Sequence, residues 1–290
     1  MPLASFSERR RAFRALLAGS EAVPAGSVFD AASARLARAA GYRVGMFAGS
    51  VASAVVLGAP DLIVLTLSEF AGQAQRIARG SDLPFMVDAD HGYGNALNVR
   101  RTVEELETAG VAAIALEDTL LPRAYGGPEA ALISREEFRD KLRAAVAARI
   151  DPDLVIIGRT QALRDGGIEE TAARMQICNE TGVDAIFVVG VRTLEEVQRL
   201  HKETSLPLVL NALPSGTTRQ QIGELGCVIY LQGHQPYYAA LSTLYDAYKH
   251  LVATDDQKAL EPKVIPADLQ ALALDETGHA AWTREYMGLG

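Results

Sequence analysis

Short hydrophobic runs alternate with amphipathic stretches along most of the chain. Eight of these runs have the length and the β-branched or apolar character of buried strands, and a helical pattern follows each one. The predicted strands are Ser27–Phe29, Val44–Phe47, Phe85–Val87, Ala113–Leu116, Leu154–Ile157, Ala185–Val189, Leu208–Leu210 and Val228–Leu231. Strands that alternate with helices predict an α/β fold, and eight units in a chain of this length favour a closed (β/α)₈ barrel over an open sheet.

Helix starts are marked by capping boxes, in which Ser or Thr is followed three residues later by Glu or Gln. The pairs are Thr66 and Glu69, Ser134 and Glu137, Thr193 and Glu196, and Thr217 and Gln220. An amphipathic helix over Ser7–Ala18 precedes the first strand. Because no linker or change in composition divides the chain, we expect one domain over residues 1–290, with a helical appendage from about residue 254 to 290.

Composition excludes several classes of function. The 290 residues are 49% hydrophobic, yet the run Val51–Leu57 is too short for a membrane span and is broken by Gly58. The first residues are polar and rich in arginine, so we expect a cytoplasmic protein without a membrane partner. A net charge of −8 and the absence of a basic stripe argue against a nucleic-acid partner. The two cysteines, Cys178 and Cys227, form no disulfide or zinc pattern and are interpreted as small core residues.

The segment from Pro84 to Gly94 carries the clearest chemical signal. A buried strand ends there in two carboxylates, Asp88 and Asp90, followed by a turn rich in glycine. Hard cations such as Mg²⁺ prefer oxygen ligands, and paired aspartates at a strand end offer them from a rigid support. The alternative is structural, since both aspartates could cap the helix that begins near Asn95.

Polar residues also follow the other predicted strands. In a β/α barrel these carboxyl ends meet at one mouth, where the chemistry takes place. The residues at these positions are Gly49 and Ser50, Asp88 and Asp90, Glu117, Arg159, Asn211, and His234 with Gln235. Arg159 directly follows a buried strand, and its guanidinium suits the carboxylate of a substrate or a neighbouring acid.

Several motifs together resemble the isocitrate lyase and phosphoenolpyruvate mutase superfamily over nearly the whole chain. The matching pieces are Phe29-Asp30-Ala31, Ser33-Ala34-Arg35-Leu36, Gly41-Tyr42, Gly58-Ala59-Pro60-Asp61, Asp88-Ala89-Asp90-His91-Gly92-Tyr93-Gly94, Glu117-Asp118 and Gly158-Arg159-Thr160-Gln161-Ala162. The resemblance implies a β/α barrel whose eighth helix is exchanged between subunits, usually in a homotetramer.

The resemblance also implies roles for individual residues. Asp88 would bind Mg²⁺ directly, with Mn²⁺ as an alternative ion, and three other carboxylates would hold its water ligands. Those three are Asp61, Asp90 and Glu117. Gly49 and Ser50 would bind the carboxylate of an α-keto acid, Arg159 would pair with that carboxylate, and Asn211 would lie close by.

Two departures from the superfamily pattern bear on the reaction. Lyases of the superfamily carry a Lys-x-Cys-Gly-His motif after the fourth strand, and its cysteine acts as an acid. Here Tyr125 stands at the cysteine position, and Gly190 replaces the acid or histidine expected after the sixth strand. The chain therefore resembles the oxaloacetate decarboxylase branch, which needs no such acid. The implied reaction is Mg²⁺-dependent loss of CO₂ from oxaloacetate, or from a close 3-substituted pyruvate, through a metal-bound enolate.

That branch places a histidine after the eighth strand, near the departing carboxylate. This chain offers His234 and then Gln235, and the strand register predicts that Gln235 faces the site. Two other functions remain open. One is a carbon–carbon or carbon–phosphorus lyase or hydrolase, which would need an acid or base among Arg123, Tyr125 and Glu129. The other is a non-catalytic protein that binds keto acids. The loop Leu120–Ile133 is expected to act as a mobile lid.

Overall fold

The computed structural model describes residues 3–128 and 131–289. Eight parallel strands form a closed barrel, in which each strand pairs with its neighbours in sequence and β8 pairs with β1. The strands are β1 (Val23–Ser27), β2 (Val44–Phe47), β3 (Phe85–Asp88), β4 (Ala113–Glu117), β5 (Val155–Thr160), β6 (Ala185–Val188), β7 (Leu208–Leu210) and β8 (Cys227–Leu231). The predicted (β/α)₈ barrel is confirmed.

Helices surround this barrel and extend beyond it. They are α1 (Phe6–Leu17), α2 (Ala31–Ala39), α3 (Gly49–Ala52), α4 (Leu67–Gly80), α5 (Ala96–Thr108), α6 (Arg135–Ala148), α7 (Ala162–Asp165), α8 (Gly167–Thr181), α9 (Leu194–His201), α10 (Arg219–Gly223), α11 (Gln235–Thr254), α12 (Ala267–Leu274) and α13 (Glu276–Met287). A π-helical segment, Ser53–Leu57, follows α3, and a 3₁₀ segment, Lys258–Lys263, precedes α12. Within the described ranges, no helix is both long enough and apolar enough to cross a membrane.

Successive residues of each strand enter two different hydrophobic clusters. Met46 and Ile157 belong to the cluster inside the barrel, whereas Phe47 and Ile156 belong to the layer between strands and helices. This alternation follows from the two-residue period of a β-strand. Helix α1 contributes Phe13 to the inner cluster and so covers the amino end of the barrel.

Two sequence predictions about element boundaries are wrong. The first strand is Val23–Ser27 rather than Ser27–Phe29. The observed strand includes Pro24, because the N–H that proline lacks is least needed near the start of a strand. The cap of α10 is Thr218, which accepts a hydrogen bond from Gln221 N at 3.2 Å, whereas Thr217 donates to Pro214 O. Two adjacent threonines satisfy the same spacing, so sequence spacing could not choose between them.

Asp88 and Asp90 do not cap α5, the helix that follows them. Asn95 caps α5 by accepting a hydrogen bond from Leu97 N at 2.9 Å, and Asn98 completes the capping box. The structural alternative for Asp88 and Asp90 is therefore wrong, which leaves both carboxylates available for the mouth of the barrel.

Helix α11 leaves the barrel instead of packing on it. None of its twenty residues is buried in a single chain. The chain then returns, and α12 packs against α2 at the outside of the barrel.

Candidate active site

Strand alternation brings three charged side chains to the mouth of the barrel. Asp88 lies two residues after Met86, and Arg159 lies two residues after Ile157, whose side chains both belong to the inner cluster. Glu117 continues the inward series of Ala113 and Ala115 on β4 in the same way. All three side chains therefore point into the barrel at the carboxyl ends of neighbouring strands.

Arg159 lies between the two carboxylates. Its Nη1 atom donates to Asp88 Oδ2, and its Nη2 atom is 3.1 Å from Glu117 Oε2. The guanidinium also lies over the Phe187 ring at 5.2 Å from the centroid, which fixes its plane. The buried Nε–H of Arg159 has no hydrogen-bond partner among the described residues. One N–H donor of the guanidinium is thus unpaired beside the two carboxylates.

These side chains line a cavity of about 540 Å³. Its wall brings together all four predicted metal-binding carboxylates, Asp61, Asp88, Asp90 and Glu117, with Arg159. Gly49 lies close by, because a Cβ atom there would be 2.9 Å from Asp90 Oδ1. Only glycine at position 49 lets this carboxylate approach the backbone at the end of β2.

The electrostatics of the cavity reflect an excess of negative charge. Loss of solvent raises the pKa of Asp61, and the charge of Asp88 raises it further. Burial likewise raises the pKa of Asp90 well above its usual range, with Asp88 and Glu117 adding to the effect. Burial also raises the pKa of Glu117, although Arg159 opposes the shift. The three pKa shifts thus all reflect burial of carboxylates beside other carboxylates.

A divalent cation fits this set of donors. Carboxylate oxygens are the ligands that Mg²⁺ and Mn²⁺ prefer, and a cation would relieve the mutual repulsion that raises these pKa values. Among the described residues, no three acidic, histidine or cysteine side chains stand close enough to bind one ion together. The arrangement therefore suits an ion with one direct carboxylate ligand and several water ligands, as Mg²⁺ usually binds.

The remaining predicted residues lie around the same mouth at different depths. Asn211 Oδ1 accepts a hydrogen bond from Gly190 N at 2.9 Å, which leaves the amide nitrogen of Asn211 as a donor. Ser50 is half-buried in α3. His234 Nδ1 is 2.9 Å from Ser27 Oγ at the end of β1, whereas Gln235 is exposed. His234 thus contacts the end of β1, and which of His234 and Gln235 serves the site stays a prediction.

The position of His234 affects its charge. Burial lowers the pKa of His234, and the field of Asp88 opposes that shift. The imidazole is therefore largely neutral at neutral pH. A neutral imidazole can exchange hydrogen bonds with a substrate without holding an anion as strongly as a cation would.

Some residues of the cavity escaped the sequence analysis. Thr119 and Gln161 line it, and each lies two residues beyond a predicted site residue, Glu117 or Arg159. Both would have been predicted if the two-residue alternation that points Glu117 and Arg159 into the barrel had been extended past the strand ends. Arg164 and Asp165 also line the cavity, from the short helix α7, and no motif in the sequence pointed to them.

A buried ion pair between Asp118 and Arg174 stabilises the strand ends that carry the site. Asp118 is fully buried, accepts a 2.5 Å hydrogen bond from Thr160 Oγ1, and pairs with Arg174 at 3.2 Å. It also accepts from Gln161 N at 3.0 Å. These contacts hold the end of β5 against that of β4, and so hold Arg159 beside Glu117.

The ends of the loop after β4 are joined. Leu120 N donates to Ala131 O at 2.8 Å, and Ile133 N donates to Asp118 O at 2.8 Å. Tyr125, near the loop tip, is fully exposed. Glu129 lies outside the described residues, and the lid role of Leu120–Ile133 stays a prediction.

The chain is similar to known proteins over most of its length. The sequence profile of the phosphoenolpyruvate phosphomutase family matches residues 13–252. An oxaloacetate decarboxylase of Bradyrhizobium diazoefficiens is 46% identical over 258 residues, covering 89% of this chain and 90% of the relative. An oxaloacetate decarboxylase of Chromohalobacter salexigens is 45% identical over 291 residues and 99% of each chain.

Solved structures of the superfamily have the same fold. Oxaloacetate acetylhydrolase in complex with the inhibitor 3,3-difluorooxalacetate superimposes with a TM-score of 0.85 at 28% identity, covering 99% of both chains. Phosphonopyruvate hydrolase in complex with oxalate and Mg²⁺ gives a TM-score of 0.85 at 27% identity, covering 96% of this chain and 99% of that one. The predicted resemblance is confirmed: the chain belongs to the phosphoenolpyruvate phosphomutase family, within the phosphoenolpyruvate mutase and isocitrate lyase superfamily.

Proposed function

We propose that the protein is a carboxy-lyase that decarboxylates oxaloacetate, or a close 3-substituted pyruvate, in the presence of Mg²⁺. The observation that carries the proposal is the cluster at the barrel mouth, where Asp61, Asp88, Asp90 and Glu117 line one cavity with Arg159, whose Nε donor is unpaired. Relatives named oxaloacetate decarboxylase, similar over nearly the full chain, support the same reaction.

Asp88 would bind the metal ion directly, and Asp61, Asp90 and Glu117 would hold its water ligands. The ion would act as a Lewis acid toward the keto oxygen of the substrate. Arg159 neutralises the C1 carboxylate through its free Nε donor, and Phe187 keeps the guanidinium in plane. Gly49, Ser50 and Asn211 complete the contacts to the keto-acid end.

His234 serves the opposite end of the substrate. When the C3–C4 bond breaks, its electron pair moves toward the C2 carbonyl and C4 leaves as neutral CO₂. A strong cationic clamp on C4 would stabilise the carboxylate and oppose this step. The lowered pKa of His234 keeps the imidazole largely neutral, so it can orient the C4 carboxylate through a hydrogen bond and then release CO₂.

The cysteines favour decarboxylation over cleavage of the superfamily lyase type. Cys178 and Cys227 are both fully buried, and burial raises the pKa of Cys227 to about 12. Neither thiol lines the mouth cavity. Protonation of the pyruvate enolate at C3 is therefore assigned to solvent rather than to a cysteine.

We also propose a homotetramer in which α11 is exchanged between subunits. The helix buries no residue in one chain and exposes apolar side chains that include Tyr238, Leu241 and Tyr245. Such a surface is typical of a helix that packs in an assembly.

The deciding experiment is to incubate the protein with oxaloacetate and Mg²⁺ and to identify the products. Pyruvate and CO₂ are expected, and oxalate, a planar mimic of the enolate, should inhibit. Acetate and oxalate as products would indicate hydrolytic cleavage and would make the decarboxylase assignment wrong. Tight binding of oxalate without turnover would instead identify a non-catalytic protein that binds keto acids.

A further inference from the structure

A second cavity lies at the other end of the barrel, between the barrel and the C-terminal helices. It has a volume of about 590 Å³. Residues Gly80–Asp82, which form part of its wall, immediately precede β3, so this cavity belongs to the amino ends of the strands. The mouth described above lies at their carboxyl ends. The two cavities are therefore separated by the packed interior of the barrel.

Three arginines line this second cavity in a chain whose net charge is −8. Arg38 forms an ion pair with Asp82 at 2.7 Å. Arg35 donates one hydrogen bond, at 2.8 Å, to the carbonyl of Ala273 at the end of α12. Among the described residues, neither Arg35 nor Arg79 is paired with a carboxylate.

Of the two acidic residues that line the cavity, Asp82 already has other partners, whereas the side chain of Asp275 caps no helix N–H. Asp82 accepts from Ala4 N at 2.7 Å in addition to its pair with Arg38. The carboxylate of Asp275 lies over the first turn of α13, since a Cβ atom at Gly278 would be 2.6 Å from Asp275 Oδ1. Arg35 and Arg79 thus keep free N–H donors that suit a phosphate or a carboxylate.

An aromatic surface faces these arginines from the C-terminal helix. The rings of His279 and Trp282 stand edge to face, with centroids 5.2 Å apart, and both line the cavity. Trp282 is 48% exposed, so part of the indole is accessible to a ligand ring. Leu3 and Leu272 add apolar surface beside it.

We infer that this cavity is a binding site for a small anion with a flat ring, of the nucleoside monophosphate class. The phosphate would bind to Arg35 and Arg79, and the ring would pack against Trp282 and Leu272. The volume is within the range of small-ligand sites, roughly 300–1,000 Å³. Because one wall is the C-terminal segment and the other is α2 with α4, the ligand fastens that segment to the barrel. This inference does not depend on the proposed reaction.

Trp282 is the only tryptophan of the chain, so tryptophan fluorescence reports directly on this cavity. We expect AMP, added without metal, to change the Trp282 fluorescence saturably and to raise the melting temperature. Adenosine lacks the phosphate and inorganic phosphate lacks the ring, so each should bind at least about tenfold more weakly. Oxalate, which is expected at the opposite mouth, should leave the fluorescence unchanged.

Two variants on α4 separate the site from general charge effects. Arg79→Gln should weaken AMP binding by roughly 10- to 100-fold, because a charged donor to the phosphate is lost. Arg76→Gln, one turn earlier on the same helix and outside the cavity wall, makes the same charge change and should leave the affinity unaltered. The inference would be overturned by the absence of a saturable change at millimolar AMP, or by equal affinities in wild type and Arg79→Gln.

Discussion

At the scale of single residues, Arg159 organises the mouth of the barrel. It contacts Asp88 and Glu117 from neighbouring strands and packs on Phe187. Burial by itself would lower the pKa of Arg159, but Asp88 and Glu117 raise it, so the guanidinium stays charged. Its charge is therefore constant across the pH range in which the surrounding carboxylates titrate.

The first prediction distinguishes a direct metal ligand from a residue that holds a water ligand. Asp88→Asn should abolish metal-dependent turnover, because it removes the proposed direct carboxylate. Asp61→Asn should lower the metal affinity or the turnover by something like 10- to 100-fold, as expected for an outer-shell change. Mg²⁺ or Mn²⁺ titration by calorimetry, together with kinetics, measures both effects.

Asp165→Asn is the matched control for these variants, because Asp165 lines the same cavity without a proposed metal role. It should retain nearly the affinity of the wild type. If Asp88→Asn bound the metal as well as the wild type does, the proposed ligand would be incorrect.

The second prediction concerns the two residues after β8. His234 contacts Ser27 near the mouth, and Gln235 is exposed. His234→Asn should therefore lower kcat for oxaloacetate by roughly 10²-fold or more, a typical effect of losing a catalytic imidazole. Gln235→His should change kcat little. A large gain of activity in Gln235→His would show that the functional position is 235.

At the scale of secondary-structure elements, close packing between helices restricts single positions. The last residue of α4, Gly80, lies against the start of α2, and a Cβ atom there would be 2.2 Å from Ala31 Cβ. Gly72, in the middle of the same helix, would meet only Arg76 Nη1, at 3.8 Å. The two glycines are therefore expected to respond in opposite ways to the same substitution.

The third prediction tests this difference. Gly80→Ala should lower the free energy of unfolding by about 1–3 kcal/mol, because α2 and α4 must separate. Gly72→Ala should raise it by about 0.5–1 kcal/mol, because alanine restricts the unfolded chain and favours helix. Chemical denaturation of both variants measures the difference. Equal effects of the two substitutions would contradict the tight contact at Gly80.

The fourth prediction concerns how α1 is attached to the barrel. Burial alone would raise the pKa of Asp151, but hydrogen bonds from Arg10 at 2.7 Å and Ser7 at 2.7 Å lower it to about 2. A carboxyl group whose pKa is lower in the folded than in the unfolded state stabilises the fold above its unfolded pKa, roughly 4. That contribution disappears as the pH falls through about 2.

Asp151→Asn should accordingly lower the free energy of unfolding by about 2 kcal/mol near neutral pH, the value typical of a hydrogen bond to a charged group. The difference from wild type should shrink between about pH 4 and pH 2. Denaturant unfolding over a pH series measures it. Asp153→Asn is the control, because its partner Arg11 is exposed and its other partner, Arg14, lies 4.0 Å away, so its effect should stay below about 1 kcal/mol. A difference that does not change with pH would contradict the Arg10–Asp151 assignment.

At the scale of the whole molecule, the eight strands close into a barrel, whereas one of the helices that follow them, α11, does not pack on it within a single chain. Helix α11 buries none of its residues, whereas α4, α5, α6 and α8 each bury several. The apolar groove beside β1, lined by Phe29, Leu36 and Pro236, has a volume of about 350 Å³. The proposed exchange of α11 would provide the missing contact for both surfaces.

The fifth prediction follows from this imbalance. Sedimentation at micromolar concentration should show a homo-oligomer, with a tetramer as the expected species. Leu241→Glu combined with Leu244→Glu on α11 should shift it toward smaller species, because charges would enter an apolar interface. Leu97→Glu, an equally apolar and exposed position on α5, should leave the assembly unchanged. A monomeric wild type would contradict the proposed assembly.

The sequence by itself determined the barrel fold and which charged residues lie at the carboxyl ends of its strands. Strand composition and helix caps depend on local periodicity, which each segment carries in its own residues. Because side chains alternate along a strand and all the strands run parallel, Asp88, Glu117 and Arg159 had to reach the same end of the barrel. Asp90 followed from its pairing with Asp88 in the sequence, whereas Asp61 was predicted only from the family resemblance, and the structure places both in the cavity wall.

Only the tertiary structure decided how these residues meet. The contact of Arg159 with Asp88 joins residues 71 positions apart, and it exists because β3, β4 and β5 are neighbours in the closed sheet. The position of His234 likewise depends on how the chain turns between β8 and α11, where His234 contacts Ser27 on β1. The second cavity requires α12 and α13 to return to α2, and no local pattern encodes that return. Periodicity in sequence specifies which side of an element a residue occupies, whereas closure of the barrel and packing of its ends specify which residues become neighbours.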